Sequence, residues 1–518
     1  MNLADHLDLI LFAVTCLALM LGFPVAFTLA GSALLFALFG MMLGVFDSSY
    51  LFALPQRIFG TMTNEVLIAV PLFVFMGTML ERAKIAEDLL DNMTHILAGV
   101  RGGLAVSVTI VGALLAASTG IVGATVVTMG LLSLPTLLKR GYDPAIASGA
   151  ITAAGTLGQI IPPSIVLVLL GDVIANAYQK AQLEQGIFSP ETVSVGELFA
   201  GALIPGFILV GIYIVYQIII ATIYPHKAPP TQLDGSVKVS QVLKSLIPPV
   251  ALMFAVLGSI LGGIATPTEA ASVGAIGTLL LAGQRLKPNS RIPQIGALSL
   301  ALLIIMTVNT DLRINRDVLS GFDIVAISFA IFLCGTLILS LAHSLRATWP
   351  DRVLLQVMRS TMNTTSMIFI ILIGAALFSL VFRGLGGEEE IKAWLLNIPG
   401  GEVGAVIAVM LVMFFLGFFL DFIEIIFVVV PIVGPILLAM DIDPVWLGIM
   451  MAINLQTSFL TPPFGFALFY LRGVAPPSVT TMQIYKGAIP YVIMQLGLLA
   501  ILAAFPDLIT WLPDQIFK

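Results

Sequence analysis

The sequence predicts an all-α polytopic membrane protein made of two repeats, each with a re-entrant helical hairpin followed by a helix broken at a Pro-Pro pair. Of its 518 residues, 59% are hydrophobic and 10% are charged, and the mean hydropathy is +1.07. This composition is typical of membrane proteins and excludes a soluble globule. The Pro-Pro pair occurs at Pro162-Pro163 and again, 300 positions later, at Pro462-Pro463. An Asp-Pro pair precedes both at the same distance, at Asp143-Pro144 and Asp443-Pro444.

The two Pro-Pro pairs each interrupt an apolar segment. Proline removes a backbone donor and leaves carbonyls free, which hydrocarbon does not tolerate unless protein or a water-filled cavity surrounds them. Paired breaks at corresponding places in two halves are typical of the binding site of a transporter. The chain contains no Gly-Lys dipeptide, so it has no phosphate-binding loop of the G-x-x-x-x-G-K-[ST] type for ATP. Uphill transport would therefore draw on an ion gradient or on another subunit.

The order of apolar and polar segments divides the chain into eight regions. We expect N-terminal scaffold helices (1–100), the first hairpin and broken helix (101–180), a loop, scaffold helix and polar linker (181–245), second-half scaffold helices (246–284), an inserted helical hairpin region (285–359), a scaffold helix and interfacial segment (360–402), the second hairpin and broken helix (403–475) and a C-terminal helix (476–518). Cations outnumber the single acid Asp234 in the linker, which places it in the cytoplasm by the positive-inside rule.

The first break is a candidate binding site because glycine, proline and side-chain oxygens occur together. Glycines permit unwinding, and carbonyls freed by proline can ligate a hard monovalent cation. The helix that restarts after the break presents its N-terminal amides to an anion. The alternative is a proline kink with hydroxyls bonded back to their own helix. We assign Gly155, Thr156 and Gly158 to sodium, and Gln159 and Ser164 to the substrate.

The second break has five polar side chains within eight residues of apolar context, from Asn454 to Thr461. Uncharged polar groups suit sodium and a carboxylate better than a proton relay, which would use buried acids or histidines. Hydrogen bonding between helices is the alternative. Here the sodium candidates are Thr457, Ser458, Thr461 and Pro462, and the substrate candidates are Asn454, Gln456 and Gly465.

The hairpin tips supply the remaining sodium candidates. The first hairpin is predicted to have arms at 103–117 and 125–139, with Ser118, Thr119 and Gly120 at its tip. A packing seam of small residues would explain this tip equally well. The second has arms at 403–416 and 425–440 and a tip at 417–424, with Gly417 and Asp421 as candidates. Asp421 three residues before Glu424 also fits a helix N-cap.

Other conspicuous residues fit structural roles. Thr266, Pro267 and Glu269 match a capping box at a helix start. Arg383 and Arg472 lie at the ends of apolar runs, where snorkelling is expected. The four histidines and two cysteines do not form a metal-ligand pattern, and no cluster suggests catalysis. We therefore expect no enzyme activity, no organic cofactor, no metal other than sodium and no nucleic-acid partner.

Several motifs resemble the large membrane subunit of tripartite ATP-independent periplasmic (TRAP) transporters, the DctM-like family. They are LGFPVAF at 21–27, VPLF at 70–73, GTLGQIIPPS at 155–164, ATPTEAA at 265–271, LGFFLD at 416–421 and QTSFLTPPFG at 456–465. The resemblance spans nearly the whole chain. The sequence departs from the family at the 285–359 insertion and the polar excursion at 179–197, where we expect a surface loop or short helix.

The resemblance implies an elevator-type, sodium-driven importer of organic acids such as C4-dicarboxylates, in a bacterial inner membrane. The implied partners are a small four-helix membrane subunit and a periplasmic solute-binding protein. Sodium ions would bind at the hairpin tips and Pro-Pro breaks, with the substrate between them. The alternatives are a stand-alone sodium/divalent-anion symporter, which needs no binding protein, and a non-transporting membrane scaffold subunit.

Overall fold

The computed structural model describes residues 6–120, 122–230, 239–315 and 320–517, without the side chains of 116–119, 239–242, 244 and 245. Within these ranges the chain forms α-helices and no β-strand. The helices of the first half are α1 (Leu7–Met20), α2 (Val25–Leu43), α3 (Leu54–Met62), α4 (Ala69–Arg82), α5 (Ile85–Ile96), α6 (Gly103–Thr119), α7 (Val122–Lys139), α8 (Pro144–Thr156), α9 (Ile165–Glu184) and α10 (Val195–Ile223).

The remaining helices follow the linker, of which residues 231–238 lie outside the described part. They are α11 (Val239–Leu261), α12 (Pro267–Leu286), α13 (Ile292–Asn309), α14 (Gly321–Thr348), α15 (Val353–Gly384), α16 (Gly387–Leu396), α17 (Gly401–Leu416), α18 (Phe422–Val428), α19 (Val430–Leu438), α20 (Pro444–Leu460), α21 (Phe466–Val474), α22 (Thr481–Ala504) and α23 (Asp507–Phe517). Short 3₁₀ helices occupy Ser48–Ala53, Val66–Ile68 and Leu157–Gln159.

Many of these helices are long and apolar enough to cross a membrane. Seven qualify among the described residues, and an eighth span is possible if Ser48–Met62 and Val66–Arg82, bent by 53°, count as one. Five more apolar helices are shorter than a full span. Large apolar side chains cover much of the outer surface, as a bilayer-embedded protein requires. The helices and candidate membrane spans of the described residues confirm the prediction of an all-α polytopic membrane protein.

The helix starts follow local sequence rules. Thr266 and Glu269 form the predicted capping box at α12, which is confirmed. The repeated Asp-Pro pairs are also helix starts. Asp143 and Asp443 are the N-caps of α8 and α20, and each is followed by proline at the first helical position.

Each Pro-Pro pair lies between two helices, and in both pairs the peptide bond is cis. The first break separates α8 from α9, with one 3₁₀ turn after α8. The second separates α20 from α21. The helix pair α6 and α7 precedes the first break, and α17 with α18 and α19 precedes the second.

The two broken segments run in opposite directions. The segment α8–α9 starts at the end of α7, and α9 packs along α19 until Gln185 Nε2 donates to the Ala439 carbonyl, 3.0 Å away. The segment α20–α21 starts beside Ala439, and α21 packs along α7, where Gly130 faces Leu471 and Val474. Each segment therefore begins at the base of one hairpin, and its second helix packs along the other hairpin.

Three boundaries differ from the sequence expectations. Helix α9 continues to Glu184 and α10 begins at Val195, so both ends of the 179–197 excursion are helical and only 185–194 form a loop. Helices α13 and α14 lie in the 285–359 region and pack on each other and on α12, but α15 begins at Val353, inside that region. The second arm of the second hairpin begins at Phe422, so Glu424 lies in a helix and not in the tip.

Candidate functional site

The first break is enclosed by protein. Thr156, Gln159 and Ser164 are fully buried. The Gln159 side chain has no hydrogen-bond partner for either amide atom among the described residues. Ser164 caps α9, since its hydroxyl donates to the Gln159 carbonyl at 3.0 Å and accepts from the Leu167 amide at 3.5 Å. A fully buried amide without partners is costly, which marks Gln159 as a group that can engage a ligand.

Backbone packing joins the first hairpin to the first break. Gly120 has φ +60°, and a Cβ there would lie 2.8 Å from Cγ1 and 3.0 Å from the amide of Ile165, the first residue of α9. Gly155 lets α8 approach α7, because its Cβ would lie 2.3 Å from Cγ2 of Val126. Gly155 thus has a packing role in this structure, while Gly158 lies buried in the 3₁₀ turn.

The predicted first tip is only partly described. Ser118 and Thr119 form the end of α6, so the helix runs two residues further than expected, and their side chains lie outside the described part.

At the second break the hydroxyl groups bond back to their own helix. Thr457 donates to Ile453 O at 2.7 Å, Ser458 to Leu455 O at 2.8 Å, and Thr461 to Thr457 O at 2.7 Å. Each oxygen keeps lone pairs for a cation after this donation. Pro462 is half-buried, and the Pro463 carbonyl accepts from Tyr485 Oη at 2.9 Å, a contact that the sequence does not indicate.

The second hairpin contacts the second break through a glycine. A Cβ at Gly417 would lie 2.0 Å from Oγ of Ser458, so two sodium candidates touch. Asp421 is the N-cap of α18: its carboxylate accepts from the Phe422 amide at 2.8 Å, and its own amide donates to Glu424 at 3.0 Å. The capping alternative for Asp421 is confirmed.

Two substrate candidates have structural roles. Asn454 donates from Nδ2 to the Met410 carbonyl at 2.8 Å and so ties α20 to α17. Gly465 makes a tight turn, in which its amide donates to Thr461 O at 3.0 Å and an added Cβ would lie 2.5 Å from Phe459 O. Asn454 is therefore bonded to α17, whereas Gln456 is bonded to Thr156 of α8.

The two breaks meet at one pair of side chains. Gln456 Nε2 lies 3.5 Å from Oγ1 of Thr156. The two residues are 300 positions apart in the chain, which is also the spacing of the two Pro-Pro pairs. Both side chains are fully buried. The Gln456 Oε1 atom has no partner among the described residues. Together with Gln159, it leaves three buried amide atoms at the breaks available to a polar ligand.

A second buried polar group lies between the helices that follow the breaks, and sequence reasoning missed it. On α10 and α22, Tyr213 and Tyr491 pack edge to face with ring centroids 4.8 Å apart. Gln495 Nε2 donates to Tyr213 Oη at 2.6 Å, and Gln217 Nε2 donates to Tyr491 Oη at 3.0 Å. We call these four residues the Tyr-Gln clasp. Its signal in the sequence is the same Tyr-x-x-x-Gln spacing in both helices.

Comparison with known proteins gives a consistent result. The model of the family "Tripartite ATP-independent periplasmic transporter, DctM component" matches residues 10–291 and 286–508. The C4-dicarboxylate TRAP transporter large permease protein DctM of Vibrio cholerae is 28% identical over 97% of both chains. The ectoine/5-hydroxyectoine TRAP transporter large permease protein UehC of Ruegeria pomeroyi is 25% identical over 98% of this chain and 99% of its own.

Two further similarities extend this picture. The sialic acid TRAP transporter large permease protein SiaM of Vibrio cholerae is 23% identical over 86% of this chain and 85% of its own. The fold is similar to the crystal structure of the YdaH transporter of Alcanivorax borkumensis, with a TM-score of 0.55 over 97% of this chain and 98% of that one, at 15% identity. The latter similarity concerns the fold alone.

Proposed function

Because the chain belongs to the DctM component family of tripartite ATP-independent periplasmic transporters, we propose that it drives the import of organic acids with a sodium gradient. It is the large permease subunit of a TRAP transporter, a multi-pass protein of the inner membrane. The proposed partners are a small four-helix membrane subunit and a periplasmic solute-binding protein that delivers the substrate.

The contact between Gln456 and Thr156 carries the proposal. It joins the two breaks at fully buried side chains, and Gln456 Oε1 has no partner in the part of the chain that the structure describes. Hydroxyl and carbonyl oxygens suit sodium, while amide donors and the N-terminus of α9 suit a carboxylate. A site with both sets of groups supports binding a cation and an organic anion together.

The substrate class rests on chemistry shared by the relatives' solutes. The similar permeases are named for C4-dicarboxylates, for ectoines and for sialic acid. All of these compounds carry a carboxylate. An organic acid is therefore the class we propose for this chain, and no member of that class is singled out by the residues at the breaks.

An elevator movement is the proposed mechanism. The opposite directions of α8–α9 and α20–α21 support an inverted repeat. The Tyr-Gln clasp joins α10 to α22, the helices that follow the two broken segments. A separate set of helices, α2, α4, α12 and α15, packs together. We propose that the hairpins, broken helices and clasp move as one body against this scaffold.

The first test is the melting temperature of the purified permease in matched sodium, potassium and choline chloride. A ligand at 100 times its Kd stabilises the folded state by about 2.7 kcal/mol, so a sodium site predicts a rise that the other salts do not produce. Thr156→Val should remove the rise. Thr278→Val is a matched control, since both threonines are fully buried and donate to a carbonyl three residues back at 2.9 Å.

Two outcomes would contradict the proposal. Equal melting temperatures in all three salts would remove the support for sodium coupling. A sodium-specific rise that Thr278→Val abolishes and Thr156→Val does not would place the ion elsewhere. Uptake of succinate into proteoliposomes by this chain alone, without binding protein or small subunit, would favour the stand-alone symporter instead.

A further inference from the structure

A cavity of about 600 Å³ lies apart from the two breaks. Helices α3 and α15 form one side, and α9 with α18 and α19 forms the other. None of its lining residues belongs to a Pro-Pro break or to a hairpin tip. Its volume falls within the range of about 300–1,000 Å³ that small-molecule sites occupy. We call it the basic cavity, because three of its lining residues are arginine or lysine.

Three cations line the basic cavity, Arg57, Lys180 and Arg383, against a single acid, Asp172. Lys180 and Arg383 both form ion pairs with Glu388, and Lys180 also forms one with Glu184, in which Nζ and Oε1 are 3.8 Å apart. Lys180 and Arg383 therefore both have carboxylate partners, and Arg57 is the remaining cation of the wall.

Arg57 is the cation without compensation. Its side chain is half-buried and forms no hydrogen bond or ion pair with the described residues. Burial makes it costly to keep the guanidinium charged, and the like charge of Arg383 adds to that cost. An anion beside Arg57 would relieve both costs.

The acid in the cavity is already engaged. Asn64 Nδ2 donates to Asp172 Oδ1 at 2.9 Å, and Asn64 Oδ1 accepts from the Val66 amide at 2.9 Å. This pair holds Asp172 on α9 against the bend between α3 and α4. Among the described residues, the partner of the Asp172 carboxylate is Asn64, and no ion pair joins it to Arg57.

We propose that the basic cavity is an anion-capture site, which holds the carboxylate of a small organic acid on Arg57 with Arg383 beside it. The identity of the anion rests on the proposed function, whereas the observation that Arg57 has no ion-pair partner among the described residues does not. Guanidinium groups bind carboxylates through paired hydrogen bonds. Asp172 lies two turns after the start of α9, about 10 Å along the helix at about 1.5 Å per residue, so a captured acid would be close to the first break.

The direct test is protection of Arg57 from phenylglyoxal, read by peptide mass spectrometry on the purified permease with its small subunit. The probes are succinate, lactate and gluconate as sodium salts, against sodium chloride at equal sodium concentration and ionic strength. We expect at least one acid to slow labelling of Arg57 several-fold. Arg346, an exposed arginine on α14, is the control and should label at the same rate throughout. Unchanged labelling of Arg57 with all three acids would overturn the proposal.

A variant test uses binding rather than folding as its readout. Arg57→Gln should raise the half-saturating concentration of the protecting acid for uptake about tenfold, since a hydrogen bond to a charged group is lost. Arg57→Lys should raise the half-saturating concentration less than Arg57→Gln does, and Arg346→Gln should leave it unchanged. Wild-type half-saturation in Arg57→Gln would contradict the capture site.

Failure of the capture site and failure of the proposed function give different patterns. If Arg57 is protected and Gln456→Ala keeps that protection, while no sodium-driven uptake occurs, the capture site stands and the function fails. If sodium drives uptake while Arg57 is neither protected nor needed, the function stands and the capture site is overturned. If Gln456→Ala abolishes protection of Arg57, the acid binds at the breaks and the cavity is not a separate site.

Discussion

The two Pro-Pro breaks share a sequence pattern but differ in how they are closed. At the first, Pro162, Pro163 and Ser164 are buried, whereas at the second Pro463 and Phe464 are exposed, Phe464 by 52%. The same backbone break can therefore be sealed or open, depending on what packs over it.

The residues that cover the two breaks also differ. We call the residues packed over each break its seal. Gly120 presses the first hairpin against the α9 backbone, with no room for a Cβ. The second break has a glycine contact too, between Gly417 and Ser458, but there an aromatic cover is added, in which the ring centroid of Phe464 lies 5.3 Å from that of Phe419 and 6.4 Å from that of Phe418. A seal of side chains can open by rotamer changes, but a seal of backbone opens only if a helix moves.

The largest expected effect comes from breaking the backbone seal. Gly120→Ala places a Cβ 2.8 Å from Ile165 in a left-handed conformation, so we expect a loss of about 2–4 kcal/mol of folding free energy from clash and strain together. Gly186→Ala is the control for conformation alone, since Gly186 has φ +84° and nothing within 4 Å. It should cost about 1 kcal/mol. Denaturant unfolding of both variants measures the difference, and equal losses would mean that the seal adds nothing.

The sequence predicts the breaks well and the contacts between them poorly. Proline chemistry is local, so the position of each break and the Asp-Pro caps follow from a few adjacent residues. The ends of the hairpins are less certain, because a helix such as α6 continues through Ser118 and Thr119 when packing favours it. The sodium and substrate assignments remain predictions, although the structure brings Thr156 and Gln456 together.

Features that need distant residues are beyond local reasoning. The clasp joins Gln217 to Tyr491, 274 positions away in the chain. Arg383 looks like a snorkelling residue in the sequence, yet it lines the basic cavity and pairs with Glu388. Arg472 donates to the Val479 carbonyl at 2.5 Å, a local contact that agrees better with its position at a helix end.

An intermediate effect is expected at the Tyr-Gln clasp, whose two halves are unequal. Tyr213→Phe removes the acceptor of the Gln495 amide and leaves a fully buried donor unpaired, at a cost of about 1–3 kcal/mol. Tyr491→Phe should cost less, about 0.5–1.5 kcal/mol, because Gln217 also donates to Thr109 Oγ1 at 2.6 Å. Unfolding free energies in the same detergent measure both, and the reverse order would show that Thr109 does not support Gln217.

The smallest effect is expected at the aromatic seal. Phe464→Ala removes a half-exposed ring, so folding free energy should change by less than about 1 kcal/mol. Access to the second break should rise all the same, because Phe419 and Phe418 lose their neighbour. Hydrogen exchange measured by mass spectrometry should therefore speed up in the peptide covering 454–465 and stay unchanged in the peptide covering 156–164. Faster exchange at both breaks would mean that the two seals open together. The opening of one break would then not be independent of the other, despite their different burial.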